Sequence, residues 1–183
     1  METEAYGHYN DPASHAFKKK TNRNIAMFGD VGKIYVYFIY GNHYCFNIVA
    51  KGNDIEAGAV LIRSIQPLDG INMMRIYRKS DNIINLTSGP GKLSQAFNIK
   101  KNHYGLDITN NNNNFFYLED HYEDKTFNKF KVIETNRIGI SCALEIKWRF
   151  IMLNAMEDET HGIAPADNAS YFPNPFLSKQ VNF

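Results

Sequence analysis

A chain of 183 residues, 44% hydrophobic and 21% charged, has the size and balance of one globular domain with a real core. A formal net charge of +1 excludes a broadly basic protein, so any nucleic-acid contact must come from a local patch. Two cysteines, Cys45 and Cys142, exclude a disulfide framework and a metal-ligand spacing; both sit in apolar runs, which predicts buried thiols in a reducing, intracellular setting. No stretch reads as a membrane span, and the Glu-Thr-Glu after Met1 has the wrong charge for the start of a signal peptide.

Met1 to Tyr6 alternates and predicts a strand. Gly7 to Asn24 is a polar loop holding His8, His15 and the cations Lys18, Lys19, Lys20 and Arg23. Lys33 to Tyr40 and His43 to Ala50 form a predicted hairpin, with Tyr40-Gly41-Asn42 as its turn and Tyr40 at an exposed tip. The segment Lys33 to Asn47 is crowded with aromatic rings, and Tyr35 and Tyr37 share one face while Ile34, Val36 and Phe38 share the other. Such rings suit either core packing or stacking on a nucleobase, and composition alone favours the core. After a polar connection, Ala59 to Ile65 is a third strand that carries Arg63 inside an apolar run. Pro67 to Lys79 reads as a helix. A second helix opens at Ser88-Gly89-Pro90-Gly91-Lys92-Leu93 and runs to Phe97; its glycines lack phosphate-loop spacing and point to a structural role. Asn110 to Asn114 is a low-complexity loop. Tyr117 to Glu119 and Lys131 to Glu134 read as short strands, and Arg137 to Cys142 with Trp148 to Phe150 as closing the core. The expected fold is α+β: one mixed domain over 1–183, a curved antiparallel sheet surrounded by helices.

The blocks ETEAY (2–6), His15, NRNIAMF (22–28), YVYFIYGNHYCFN (35–47), AVLIRSIQPLDG (59–70), SGPGKLSQAFNI (88–99), RIGI (137–140) and WRF (148–150) resemble the alkyladenine (3-methyladenine) DNA glycosylase family. The resemblance is long, ordered and spread over most of the chain. It implies a monofunctional base-excision enzyme that flips a damaged purine out of double-stranded DNA and hydrolyses its bond to the sugar, with 3-methyladenine, 7-methylguanine and hypoxanthine as substrates. No cofactor and no metal are implied, and the protein is expected to act as a monomer in the bacterial cytoplasm or nucleoid.

Residue by residue, the resemblance makes Glu4 the general base that activates water and steadies positive charge on the sugar. Without it, Glu4 would read as an exposed strand acid near a terminus. Arg63 is implied as a second holder of the water and the natural charge partner of Glu4, the alternative being an ion pair with Asp69 or Glu56. Tyr6, His15 and Tyr37 correspond to the stacking walls of the base pocket, each stack being worth roughly 1–3 kcal/mol. Asn47 and Leu61 correspond to its floor, and Tyr40 to the wedge that fills the gap in the duplex. Lys18, Lys19, Lys20 and Arg23 suit phosphate contacts or, equally, a solvated face. His8 has no counterpart in the motif and reads as a surface histidine.

The family carries a helix and first strands ahead of its ETEAY strand, whereas this sequence begins there. The expectation is therefore a frayed catalytic strand with an unpaired edge. Ile151 to Pro173 reads as an insertion before a closing Asn174-to-Ser178 segment. Two rival readings follow: a decayed relic without a stable site, and a non-enzymatic binder of damaged DNA that uses the same aromatic pocket.

Overall fold

In the computed structural model, the described residues are 1–109, 116–118 and 130–154. The Asn110–Asn114 loop, Glu119, residues 155–173 of the expected insertion and the closing segment lie outside them; Ile151 to Asn154, expected to open that insertion, belong instead to a sheet strand, Arg149–Asn154.

Alternating side chains build six strands: β1 (Glu2–Tyr6), β2 (Ile34–Ile39), β3 (His43–Val49), β4 (Ala59–Ser64), β5 (Phe130–Thr135) and β6 (Arg149–Asn154). Two helices accompany them among the described residues, α1 (Ile71–Arg78) and α2 (Pro90–Ala96). The strands form one antiparallel sheet in the order β2-β3-β4-β1-β6-β5. The fold is the expected α+β class.

The strand that carries Glu4 is not the frayed edge expected from the resemblance. β1 lies inside the sheet, paired with β4 from Glu2 to Tyr6 and with β6 from Glu2 to Glu4. The amide of Met152 donates to the Met1 carbonyl at 3.0 Å, so pairing extends to the first residue.

The period of two divides the sheet into two chemistries. On one face Ile34, Val36, Phe46, Ile48 and Ile62 pack with Leu93 of α2, Ile99 and Ile108 into an apolar layer. Gly91 lets α2 approach, because a Cβ there would stand 3.0 Å from Cγ of His43. Lys92 is held at home by Asn85 Oδ1 and Ser88 Oγ, which supports the structural reading of the SGPGKL run. The other face carries Tyr35, Tyr37, Asn47, Arg63, Glu4 and Tyr6, brought into line by the registers Tyr35↔Asn47, Asn47↔Leu61, Glu4↔Leu61 and Tyr6↔Ala59. The loop after β1 and a short 3-10 turn, Ile25–Phe28, cover this face, with Ala16 and Met27 buried against Tyr35.

Three expectations are corrected. The first helix begins at Ile71, since Gly70 is left-handed (φ 69°) and Leu68 ahead of it is exposed. Tyr117 and Leu118 belong to no strand, although Leu118 donates to the Ile108 carbonyl. Arg137 to Cys142 is a loop with Ile138 exposed, and Cys142 is an exposed thiol while Cys45 is buried. That apolar run leaves the sheet before β6, so its side chains do not alternate into a core.

Candidate active site

Glu4 is completely buried. Its position on β1 puts it between Leu61 of β4 and Arg149 of β6, at the centre of the polar face. Burying a carboxylate is costly unless donors replace its water. They do: the Ile138 amide donates to Oε1 at 2.8 Å, the Tyr6 hydroxyl to Oε2 at 2.8 Å, and Arg63 Nη1 to Oε2 at 3.3 Å. An exposed strand acid is therefore excluded.

Arg63 pairs with neither Asp69 nor Glu56. Its Nε donates to Glu2 Oε1 at 2.5 Å, and the same oxygen accepts from Arg149 Nε at 2.7 Å. Arg63 thus bridges two carboxylates, and Glu2 bridges two guanidiniums. Burial pushes Glu2 toward its neutral form, but Arg149 and Arg63 outweigh that and hold its carboxyl below the usual range.

Beside this network lies a cleft of about 130 Å³ lined by Tyr6, His15, Met27, Tyr35, Tyr37 and Asn47, with Ala59, Gly139 and Ile140 among its other walls. The His15 ring meets Tyr37 edge-on at 4.7 Å, and His15 Nδ1 is 2.8 Å from the Tyr35 hydroxyl. Asn24 ties the loop that carries His15: its Nδ2 donates to the His15 and Lys19 carbonyls, and its Oδ1 accepts from the Thr21 amide. Burial, then the charge of Arg23, lowers the imidazole's hold on a proton. Burial likewise pushes the phenols of Tyr6 and Tyr37 upward, so both stay protonated. Asn47 is buried, and its Nδ2 donates to the Tyr35 carbonyl at 3.0 Å.

The expected residues are brought together with exceptions. Leu61 is buried beside Glu4 and Asn47 in register but does not line the cleft, where Ala59 and Met27 stand instead. Arg23 reaches back over the Tyr37 ring at 5.4 Å and Lys20 over Phe28 at 5.6 Å, while Lys18 and Lys19 are exposed. Tyr40 is 89% exposed at the tip of the β2–β3 turn. Tyr40 and Gly41 are both left-handed (φ 50° and 73°) and the Asn42 amide closes on the Ile39 carbonyl, the geometry of a type I′ turn. A tyrosine at positive φ is strained, and such strain gathers at functional sites. His8 is not a free surface histidine: its ring packs edge-on against Tyr9 and Phe28.

Sequence reasoning gave no role to Glu2, Asp11, Arg137 or Arg149. Arg137 and Asp11 form a two-pronged ion pair, 2.7 Å at each contact, with both side chains fully buried. A guanidinium opening the apolar run RIGI was the available signal, since such a charge must find a partner.

The fold is a six-stranded α+β domain, and its site is a sealed carboxylate beside an aromatic cleft. The description methylpurine-DNA glycosylase (MPG) matches residues 1–156. A protein of Francisella tularensis subsp. tularensis named "Putative 3-methyladenine DNA glycosylase" is 41% identical over 82% of this chain and 75% of its own length. Proteins of the same name from Chlorobium phaeobacteroides (43%; 84% of this chain, 75% of the relative) and Prosthecochloris aestuarii (44%; 81% and 68%) are also similar. The chain belongs to the methylpurine-DNA glycosylase family.

Proposed function

We propose that this protein is a monofunctional base-excision glycosylase that removes alkylated or deaminated purines, 3-methyladenine, 7-methylguanine and hypoxanthine among them, from duplex DNA. The observation that carries the reading is the sealed Glu4 carboxylate, held by three donors next to a cleft walled by Tyr6, His15 and Tyr37.

In this reading Tyr40 enters the duplex as the base leaves it, and exposed Lys18 and Lys19 meet the backbone phosphates. The base stacks among Tyr6, His15 and Tyr37. The cleft is smaller than the roughly 300 Å³ at which ligand pockets begin, so the edge-on contact of His15 with Tyr37 must open as the purine enters. The bond from sugar carbon to base nitrogen breaks, its electron pair leaving with the base. Glu4 takes a proton from water, and the water oxygen bonds to the sugar carbon. The fixed carboxylate also steadies the positive charge that gathers on the sugar before attack. Because Glu4 has no accessible surface, the water reaches it when the entering purine opens the cleft beside it, with the Ile138 amide still on the carboxylate.

The test is a single-turnover assay on duplexes carrying one hypoxanthine or one 3-methyladenine, followed by alkali to cut abasic sites. Excision by the parent and not by Glu4→Gln is the expected result. Tight lesion binding without excision by either would replace the enzyme with a damaged-DNA binder.

A further inference from the structure

Arg137 and Asp11 lie away from the reacting atoms of the reading above, yet three parts of the site meet at their contact. Asp11 Oδ2 accepts from the Gly7 amide and Oδ1 from the Ala13 amide, which folds the loop leading to His15. Arg137 closes on both Asp11 oxygens and also donates to the carbonyl of Ala5, between Glu4 and Tyr6 on β1. Its guanidinium sits 4.8 Å from the Tyr6 ring centroid and 5.5 Å from that of Trp148. The next residue in the chain, Ile138, donates its amide to Glu4 Oε1.

We propose that the Arg137–Asp11 pair is a positioning clamp that fixes the Ile138 amide on Glu4. The argument is one of connectivity. The Ile138 segment belongs to a loop with no ladder to hold it, and Ile138 itself is exposed. A loop amide stays on a buried carboxylate only if something else fixes the loop, and Arg137 is the adjacent buried anchor. Two oxygens, one carbonyl and two rings fix the guanidinium plane, which a lysine ammonium cannot reproduce. The inference rests on the proposed role of Glu4 only for its effect on rate; the clamp itself is a statement about the Ile138 amide.

The test uses the full chain, with Arg137→Lys and Asp11→Asn. The second variant retains the bond from Arg137 to Ala5 and its ring contacts. Three quantities are measured: hydrogen exchange of the Ile138 amide, affinity for a hypoxanthine duplex, and single-turnover excision. The expected result is Ile138 exchange faster by at least about tenfold, since an amide freed from its acceptor exchanges through local opening. Affinity should stay within about threefold, and excision should fall on the order of 100-fold, the cost of misplacing a catalytic group by about 1 Å. Unchanged Ile138 exchange overturns the proposal. So does an equal loss of affinity and rate, or failure of both variants to fold, since each marks a merely structural pair. An inactive parent chain would defeat the glycosylase reading but leave the exchange result to judge the clamp.

Discussion

The hydroxyl of Tyr6 donates to Oε2 of Glu4 at 2.8 Å. The two residues are two positions apart on β1, so the pleat turns both to the same face. The Tyr6 ring lines the cleft while its oxygen holds the carboxylate, which makes one side chain part of the pocket wall and of the carboxylate's shell.

Tyr6→Phe separates those two parts. Stacking survives, so affinity for a lesion duplex should change by less than about threefold, while single-turnover excision falls by roughly 10- to 100-fold. The estimate is a charge-assisted hydrogen bond of about 1.5–3 kcal/mol lost from the positioning of Glu4. Equal losses in affinity and rate would contradict the division.

Arg63→Met should destabilise the fold by roughly 3–5 kcal/mol, because it leaves buried Glu4 and half-buried Glu2 without a shared counter-charge. Urea unfolding is the measurement. The double variant Arg63→Met with Glu4→Gln should recover part of the loss, since the stranded charge is gone.

Acid should weaken the protein in part through Glu2. Its carboxyl is held below the ordinary value of 4.5 in the folded state, so the unfolded chain binds its proton first as pH falls. The stabilisation from Glu2 is therefore full above that value and is lost as pH drops through and below it. Glu2→Gln should be less stable than the parent at pH 7, with the gap narrowing between about pH 5 and 3 in thermal melts.

Tyr40→Ala should leave folding stability within about 0.5 kcal/mol, because the ring is solvated. Tyr40→Gly should be neutral or stabilising, since it relieves the positive φ. Both should weaken lesion-duplex binding by about 5- to 100-fold, the equivalent of one lost stack. An unchanged affinity would remove Tyr40 from the DNA interface.

Lys18→Ala and Lys19→Ala should each lower the slope of log affinity against log salt by about one, and by the same amount on damaged and undamaged duplex. A slope that does not move would assign these exposed lysines to solvent.

Five of the six strands were legible from short runs of strand-forming residues bounded by turn signals, and the β2–β3 turn because Tyr-Gly-Asn breaks the pattern; β6 was not, since its residues from Ile151 onward read as an insertion. The roles proposed for Glu4, Arg63 and His15 rest on resemblance, and nothing in Glu4's own surroundings in the chain shows that it is buried. Arg137 and Asp11 were not legible as a pair, since 126 positions separate them and no local period links them. The apolar run holding Cys142 was misread for the opposite reason: apolar composition was taken for core, although the run is a loop with Ile138 and Cys142 exposed. The start of α1 was placed at Pro67 because proline suits a first turn, but the left-handed Gly70 intervenes.

β1 has a consequence for the order of assembly. Its outer neighbour β6 comes from the far end of the described chain, and the Ile138 amide that seals Glu4 is 134 positions downstream. Contacts of such separation are slow to form, and on the ribosome they wait for the rest of the chain to emerge. The strand with Glu4 is made well before its last partners and is completed only with them. A nascent chain that ends before Ile138 carries every aromatic side chain of the cleft, but Glu4 still lacks its amide donor and Glu2 still lacks Arg149.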